Sequence, residues 1–150
     1  MSYILERSVF IPRPRPEVFG FFADAHNLER ITPAFLHFNV LTPGTIAMRA
    51  GTHIDYELGL YGIRFRWKTI IEEFVPMAYF VDLQLTGPYR RWRHTHTFED
   101  APGGTQMHDR VEYEMRFGLA GVIARALFVR RSLDQIFDYR NETITKILGK

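Results

Sequence analysis

The sequence predicts an α+β fold: a curved antiparallel sheet of seven strands wrapped around one long C-terminal helix, with two short helices after the first strand. Three observations carry this. Between residues 52 and 117, segment after segment alternates apolar and polar side chains, the period of strands with one covered and one wet face. Beyond residue 118 the apolar period becomes helical. Leu119, Val122, Ile123, Ala126, Leu127, Leu133, Ile136, Phe137, Ile144 and Ile147 fall on the stripe of one helix of roughly 27 residues. Such a stripe needs a large apolar partner, and the inner face of the sheet is the one the chain offers.

The elements follow in order. Tyr3–Ile11 is rich in strand formers and ends at the PRPRP run of 12–16. Pro16 opens a helix over 16–24, because the N–H it lacks is not needed in a first turn, and Val18, Phe19 and Phe22 share a face. Asp24 caps a second short helix, AHNLERI, which Pro33 stops. Phe35–Leu41 reads as a strand that breaks at Pro43-Gly44. In Thr52–Leu60, Ile54, Tyr56 and Leu58 alternate with His53, Asp55 and Glu57. In Ile63–Phe74, Phe65, Trp67, Thr69 and Ile71 alternate with Arg64, Arg66 and Lys68. Tyr79–Leu85 sets Val81, Leu83 and Leu85 against Asp82 and Gln84.

The stretch GPYRRWRHTHTFED, 87–100, sets Trp92, His94, His96 and Phe98 against Arg91, Arg93, Thr95 and Thr97. DAPGGT at 100–105 is a hairpin loop. Gln106–Phe117 then alternates Asp109, Val111, Tyr113 and Met115 with His108, Arg110, Glu112 and Glu114. On the closing helix, Leu127 or Phe128 and Phe137 are expected to face the sheet.

Composition narrows the function. A chain of 150 residues reads as one domain, 1–150, with a real core. Its 13 Phe, 7 Tyr and 2 Trp either pack densely or line a pocket. The net charge of +2 and the interleaving of basic with acidic residues argue against nucleic acid as a partner. Without cysteine there is no disulfide, thiolate nucleophile or Cys-ligated zinc. Glu6 and Arg7 interrupt the N-terminus where a signal peptide needs apolar residues. No apolar run approaches the ~20 residues of a membrane span. The expectation is a cytoplasmic monomer or homodimer without membrane insertion. No cofactor is expected, since no Gly-rich phosphate loop, nucleophile elbow or catalytic carboxylate pair appears.

The element order and two stretches, FIPRPRPEVFGFFADAHNLERITP and GPYRRWRHTHTFE, resemble the helix-grip superfamily. That superfamily, SRPBCC, gathers the START lipid-binding domains, the birch-pollen-allergen-like proteins and the bacterial polyketide cyclase/dehydrase group. The resemblance spans essentially the whole chain. It implies a START-like domain with a cavity between sheet and C-terminal helix.

The hairpin sets the register of the central residues. Pairing around 100–105 places Phe98 opposite Met107, His96 opposite Asp109 and His94 opposite Val111. Opposed side chains on one face have Cβ atoms about 4.5–5.5 Å apart, so His96 and Asp109 can bond inside the cavity. Three roles fit: a structural polar pair, a pair that orients a ligand, or a general acid–base pair. A metal site fits least, since His108 has the wrong parity to be a third histidine. The expected ligand set is Ile54, Tyr56, Trp67, Leu83, Trp92, His94, His96, Phe98, Asp109, Val111 and Tyr113. The sequence thus predicts binding of a small, mainly hydrophobic molecule. The alternative is a polyketide cyclase/dehydrase-type enzyme, with His96 and Asp109 as acid–base and Tyr113 or His94 polarising a carbonyl.

Overall fold

The structure is a computed structural model and describes residues 2–44, 46–60 and 62–149. Strand β1 (Ser2–Ile11) stops at the proline run, and α1 (Arg15–Phe22) starts from it with a proline in its first turn. The Asp24 carboxylate accepts the His26 N–H at 3.1 Å, and Ala25–Ile31 winds as a 3₁₀ turn rather than an α-helix. The strand expected over 35–41 is mostly absent. A 3₁₀ turn (Ala34–Leu36) ends at His37, whose φ of 47° breaks an extended path, and β2 is only Asn39–Val40.

The remaining strands are β3 (His53–Leu60), β4 (Ile63–Val75), β5 (Tyr79–Thr86), β6 (Arg91–Ala101) and β7 (Gly104–Glu114). The sheet order is β1-β7-β6-β5-β4-β3-β2, with every neighbour antiparallel. Helix α2 (Gly118–Ala124), a π turn (Arg125–Val129) and α3 (Arg130–Leu148) then form one continuous run that lies against the sheet.

The β6–β7 hairpin closes tightly, with Ala101 opposite Gly104. Gly103, at φ 82°, supplies the left-handed residue that a Pro-Gly turn needs. In that register His96 faces Asp109, His94 faces Val111 and Phe98 faces Met107, as the spacing predicts.

Two further expectations fail. On β5, Asp82 lines the interior and Gln84 is buried with it, so alternation puts Leu83 on the outer face, and Leu85 is exposed. Apolar residues of both parities, Phe80 and Val81, are buried here, and the β4–β5 register slips at Lys68/Thr69 and Ile71/Glu73. Polar satisfaction then decides the parity. The Gln84 amide donates to the Tyr89 carbonyl at 2.7 Å and accepts the Tyr89 N–H at 3.2 Å, while Asp82 accepts from His96. On the helix, Phe137 is buried but Leu127 and Phe128 are 63% and 55% exposed. The buried stripe is Leu133, Phe137, Arg140, Ile144 and Leu148. The π turn adds a residue before it, rotating the preceding segment by about 100° and carrying Leu127 and Phe128 off that stripe.

Behind the sheet the interior divides in two. At one end α1 presses Val18, Phe19 and Phe22 against Phe80, Phe98, Met107 and Ile144, with the Phe19 ring edge-on to those of Phe74, Phe80 and Phe98. Each such buried side chain contributes about 1.5–3 kcal/mol. The other end is framed by Tyr56, Trp67, Tyr89, Trp92, Leu133 and Phe137 and stays hollow. Among the described residues no helix is long and apolar enough to cross a membrane.

Candidate ligand cavity and its polar floor

The hollow end is a cavity of about 170 Å³. The 3₁₀ turns supply Leu28, Thr32 and Leu36, the sheet supplies Tyr56, Leu58, Trp67, Thr69 and Trp92, and the helix supplies Val129, Leu133, Ile136 and Phe137. Phe38 and Tyr89 complete the wall. An apolar cavity near 150 Å³ is known to hold a benzene-sized molecule, so this one takes about one ring as it stands. The two indoles meet edge to face at 5.2 Å, and Tyr89 packs on Trp92 at 4.8 Å. Burial, and after it the charge of Asp82, pushes the Tyr56 hydroxyl pKa up, so it keeps its proton.

The cavity floor is charged. His94, His96, Asp82 and Arg140 line it, and Asp109 lies beneath the two rings. His94 Nε2 donates to Asp109 Oδ1 at 2.8 Å, and His96 Nε2 donates to Asp82 Oδ2 at 2.7 Å. Arg140 Nη2 lies 3.3 Å from Asp109 Oδ1 and 3.3 Å from His96 Nδ1. A protonated His96 gives its Nδ1 hydrogen to Asp109 Oδ1, also 3.3 Å away, whereas a neutral ring accepts from Arg140 there. The rings of His94 and His96 stack at 3.7 Å, and His96 stacks in turn on Phe80 at 4.2 Å.

Burial and partners then split the two histidines. Desolvation, then the neighbouring His96 charge, lowers the His94 pKa to about 4 despite Asp109, so this ring is neutral. Desolvation also works against His96, but hydrogen bonds to Asp109 and Asp82 outweigh it and raise its pKa. Burial would raise both carboxyls. Instead the His96 hydrogen bond, with the charges around it, lowers Asp82, and Arg140 first, then both histidines, holds Asp109 well below the carboxylate range. Below the raised pKa of His96, two anions thus face two cations, with a neutral imidazole beside them. Among the described residues, Thr69 Oγ1 and Arg140 Nε are buried side-chain atoms without a hydrogen-bond partner.

Asp82, His94 and His96 also bring three donor atoms within 4.8 Å of one another. The residues do not suit a dication. Arg140 already supplies a positive charge beside them, and Asp82 already holds the His96 Nε2 hydrogen at 2.7 Å.

Of the expected ligand set, Tyr56, Trp67, Trp92, His94 and His96 come together on the cavity wall. Ile54, Phe98 and Val111 are packed in the core and do not reach it. Leu83 is on the outer face, for the reason given above, and Asp109 acts through the histidines. Tyr113 lines a separate cleft between β1 and the helix, where its hydroxyl accepts from Arg125 Nε at 3.2 Å. Asp82, placed on the outer face by pattern, and Arg140 are the floor residues that the sequence reading missed. Arg140 had a signal: it follows Leu133 and Phe137 and precedes Ile144 at spacings of seven, three and four, a core position.

The family described as polyketide cyclase/dehydrase and lipid transport matches residues 11–137. No curated protein matches the chain. Among solved structures, Ara h 8.0201 superposes with a TM-score of 0.65 at 13% identity, over 97% of this chain and 99% of its own. The Zhui aromatase/cyclase from Streptomyces sp. R1128 gives 0.69 at 16% identity, over 98% of this chain and 96% of its own. A nucleoside-diphosphate sugar epimerase from Corynebacterium glutamicum gives 0.67 at 27% identity, over 97% of this chain but only 29% of its own.

Proposed function

The chain belongs to the polyketide cyclase/dehydrase and lipid transport family, and on that premise we propose that it binds a small, mainly hydrophobic molecule in the cavity between sheet and C-terminal helix. The observation that carries this is the cavity itself: aromatic walls over a floor that concentrates the polar groups. An apolar, ring-sized body fits the walls. An oxygen on its inner end would meet Thr69 Oγ1 and the Arg140 guanidinium, whose Nε has no protein partner. The neutral His94, which also lines the cavity, would orient that oxygen.

Both tryptophans of the chain line the cavity, so their emission reports occupancy. A one-ring phenol such as p-cresol should quench it saturably, and Leu133→Phe, which narrows the space without adding a tryptophan, should abolish the effect. Quenching that never saturates, or that survives in the narrowed variant, would remove the reading.

A second reading rests on the buried His–Asp pairs at the same floor. Below the raised pKa of His96, with His94 neutral, the floor would offer an acid and a weak base side by side, a pairing that could serve an aldol cyclisation or dehydration of a polyketide. Turnover of a poly-β-keto thioester, lost in His94→Gln, favours this reading. Binding without turnover favours the first.

A further inference from the structure

The first part of the C-terminal helix differs from the rest. Its solvent-facing side chains are apolar: Phe117 is 85% exposed, Leu119 75%, Ile123 52% and Leu127 63%. Leu119, Ile123 and Leu127 recur every fourth residue and share one stripe. Phe117 stands ahead of them on a left-handed backbone, φ 67°, which a bulky side chain rarely adopts. A stripe this exposed covers nothing in the fold.

Its charges have one sign. Between Glu114 and Asp134 the charged residues are Arg116, Arg125, Arg130 and Arg131. Arg125 is spent inside the fold, over the Tyr3 ring at 3.9 Å and on the Tyr113 hydroxyl. Arg116, Arg130 and Arg131 are exposed, and Arg90 joins them, since its backbone N–H donates to the Glu114 carbonyl at 3.0 Å. Exposed apolar residues flanked by arginines, with acids only at the two ends of the segment, Glu114 and Asp134, complement a surface that is greasy inside and anionic at its rim.

We propose that residues 116–131 dock the protein on an anionic lipid surface. Phe117, Leu119, Ile123 and Leu127 enter the boundary between headgroups and acyl chains, and the arginines meet lipid phosphates. The attachment is peripheral; nothing spans the bilayer. A second copy of the chain fits less well, because a two-fold contact would set arginines against arginines with only the flanking Glu114 and Asp134 to pair them, and Asp134 is already held by Arg7 at 2.7 Å. Val129, at the end of the segment, lines the cavity, so docking brings the cavity wall to the membrane. The docking itself does not depend on the ligand reading and is measured without a ligand.

Co-sedimentation with vesicles of phosphatidylcholine plus phosphatidylglycerol, and with phosphatidylcholine alone, tests it. The protein should pellet with the anionic vesicles, far less with neutral ones, and less as salt rises. The double variant Arg130→Gln/Arg131→Gln should weaken binding roughly thirtyfold, at about 1 kcal/mol per arginine. Leu119→Ser/Leu127→Ser should abolish it with unchanged thermal unfolding. Phe117→Gly, which suits the left-handed backbone and keeps the fold, should also weaken it. Failure to pellet, equal binding to both vesicle types, or a dimer in light scattering that the serine variant dissolves would each overturn the proposal.

Discussion

Replacing Asp109 with Asn keeps the side chain's shape and removes one charge from the buried cluster. In the wild type below the raised pKa of His96, Asp82 and Asp109 balance Arg140 and the protonated His96 ring, while His94 stays neutral above about pH 4. The variant leaves two cations against Asp82 alone, unless His96 gives up its proton. Burial is already the largest influence on His96 and lowers its pKa, and one of the two carboxylates that outweigh it is now gone. The ring should therefore become neutral. Unfolded histidine takes its proton near pH 6.5, so a folded pKa below that makes the unfolded state bind the proton first. The variant then loses about 1.4 kcal/mol per pH unit on acidification between its two pKa values. Wild-type His96, with its pKa raised, keeps its full contribution below pH ~6.5 and loses it only as the pH rises through the folded pKa. At about pH 7.5 the cost of Asp109→Asn is that of weakened charged hydrogen bonds, about 1.5–3 kcal/mol. By about pH 5.5 it should approach the 3–5 kcal/mol of a broken buried pair. Urea unfolding at the two pH values measures the gap, and NMR titration of the imidazole Cε1 protons follows the ring. A gap that stays constant or narrows, or a His96 titration that does not move, would refute the charge balance.

Three further outcomes follow from the same geometry. Arg140→Met leaves Asp82 and Asp109 without their fixed cation and should cost about 3–5 kcal/mol in urea unfolding, with the Asp109 pKa rising in a carboxyl-carbon titration. Wild-type stability should peak near pH 6.5. Below this His94 refuses the proton that its unfolded form accepts, costing on the order of 3 kcal/mol by pH 4, and above it the His96 contribution fades; a flat profile across this range would contradict both assignments. Gly121→Ala should lower the melting temperature despite alanine's better helix propensity, because its Cβ would run into the Arg116 carbonyl and lie 3.1 Å from the Met115 Cβ, a clash worth about 1–3 kcal/mol.

The sheet was legible where one face is wet and the other covered. β6 alternates from Arg91 to Glu99 and β7 throughout, and their short connection fixes the register, so the pairing of His96 with Asp109 could be read from spacing alone. β5 was not legible for a physical reason. Apolar residues sit at both parities, and the irregular β4–β5 ladder shifts the pairing, so a period-2 pattern has no preferred phase there. The helix was legible in extent but not in phase, because the π turn at Arg125–Val129 breaks the 3.6-residue period that reads its face. The short β2 was hidden by His37, a non-glycine residue in the left-handed region that no residue type announces.

The polar floor was half legible, and the missing half follows from electrostatics. Two histidines and one aspartate on the inward faces of β6 and β7 make a local set that hairpin spacing reveals. That set cannot stand alone beside Arg140, which the helical stripe carries into the core at 7% exposure. A buried arginine with one carboxylate leaves no anion for a protonated imidazole, and an unpaired buried charge is expensive. The cluster therefore demands either two neutral histidines or a second carboxylate. β5 is the strand hydrogen-bonded to β6, and its only acidic residue is Asp82, directly opposite His94 in the ladder. Its inward turn looks like a violation of the strand pattern, yet it supplies the second carboxylate that lets His96 carry a proton beside Arg140. The parity that buries the carboxylate also buries Gln84 at the next inward position, and its amide is satisfied there by the Tyr89 backbone.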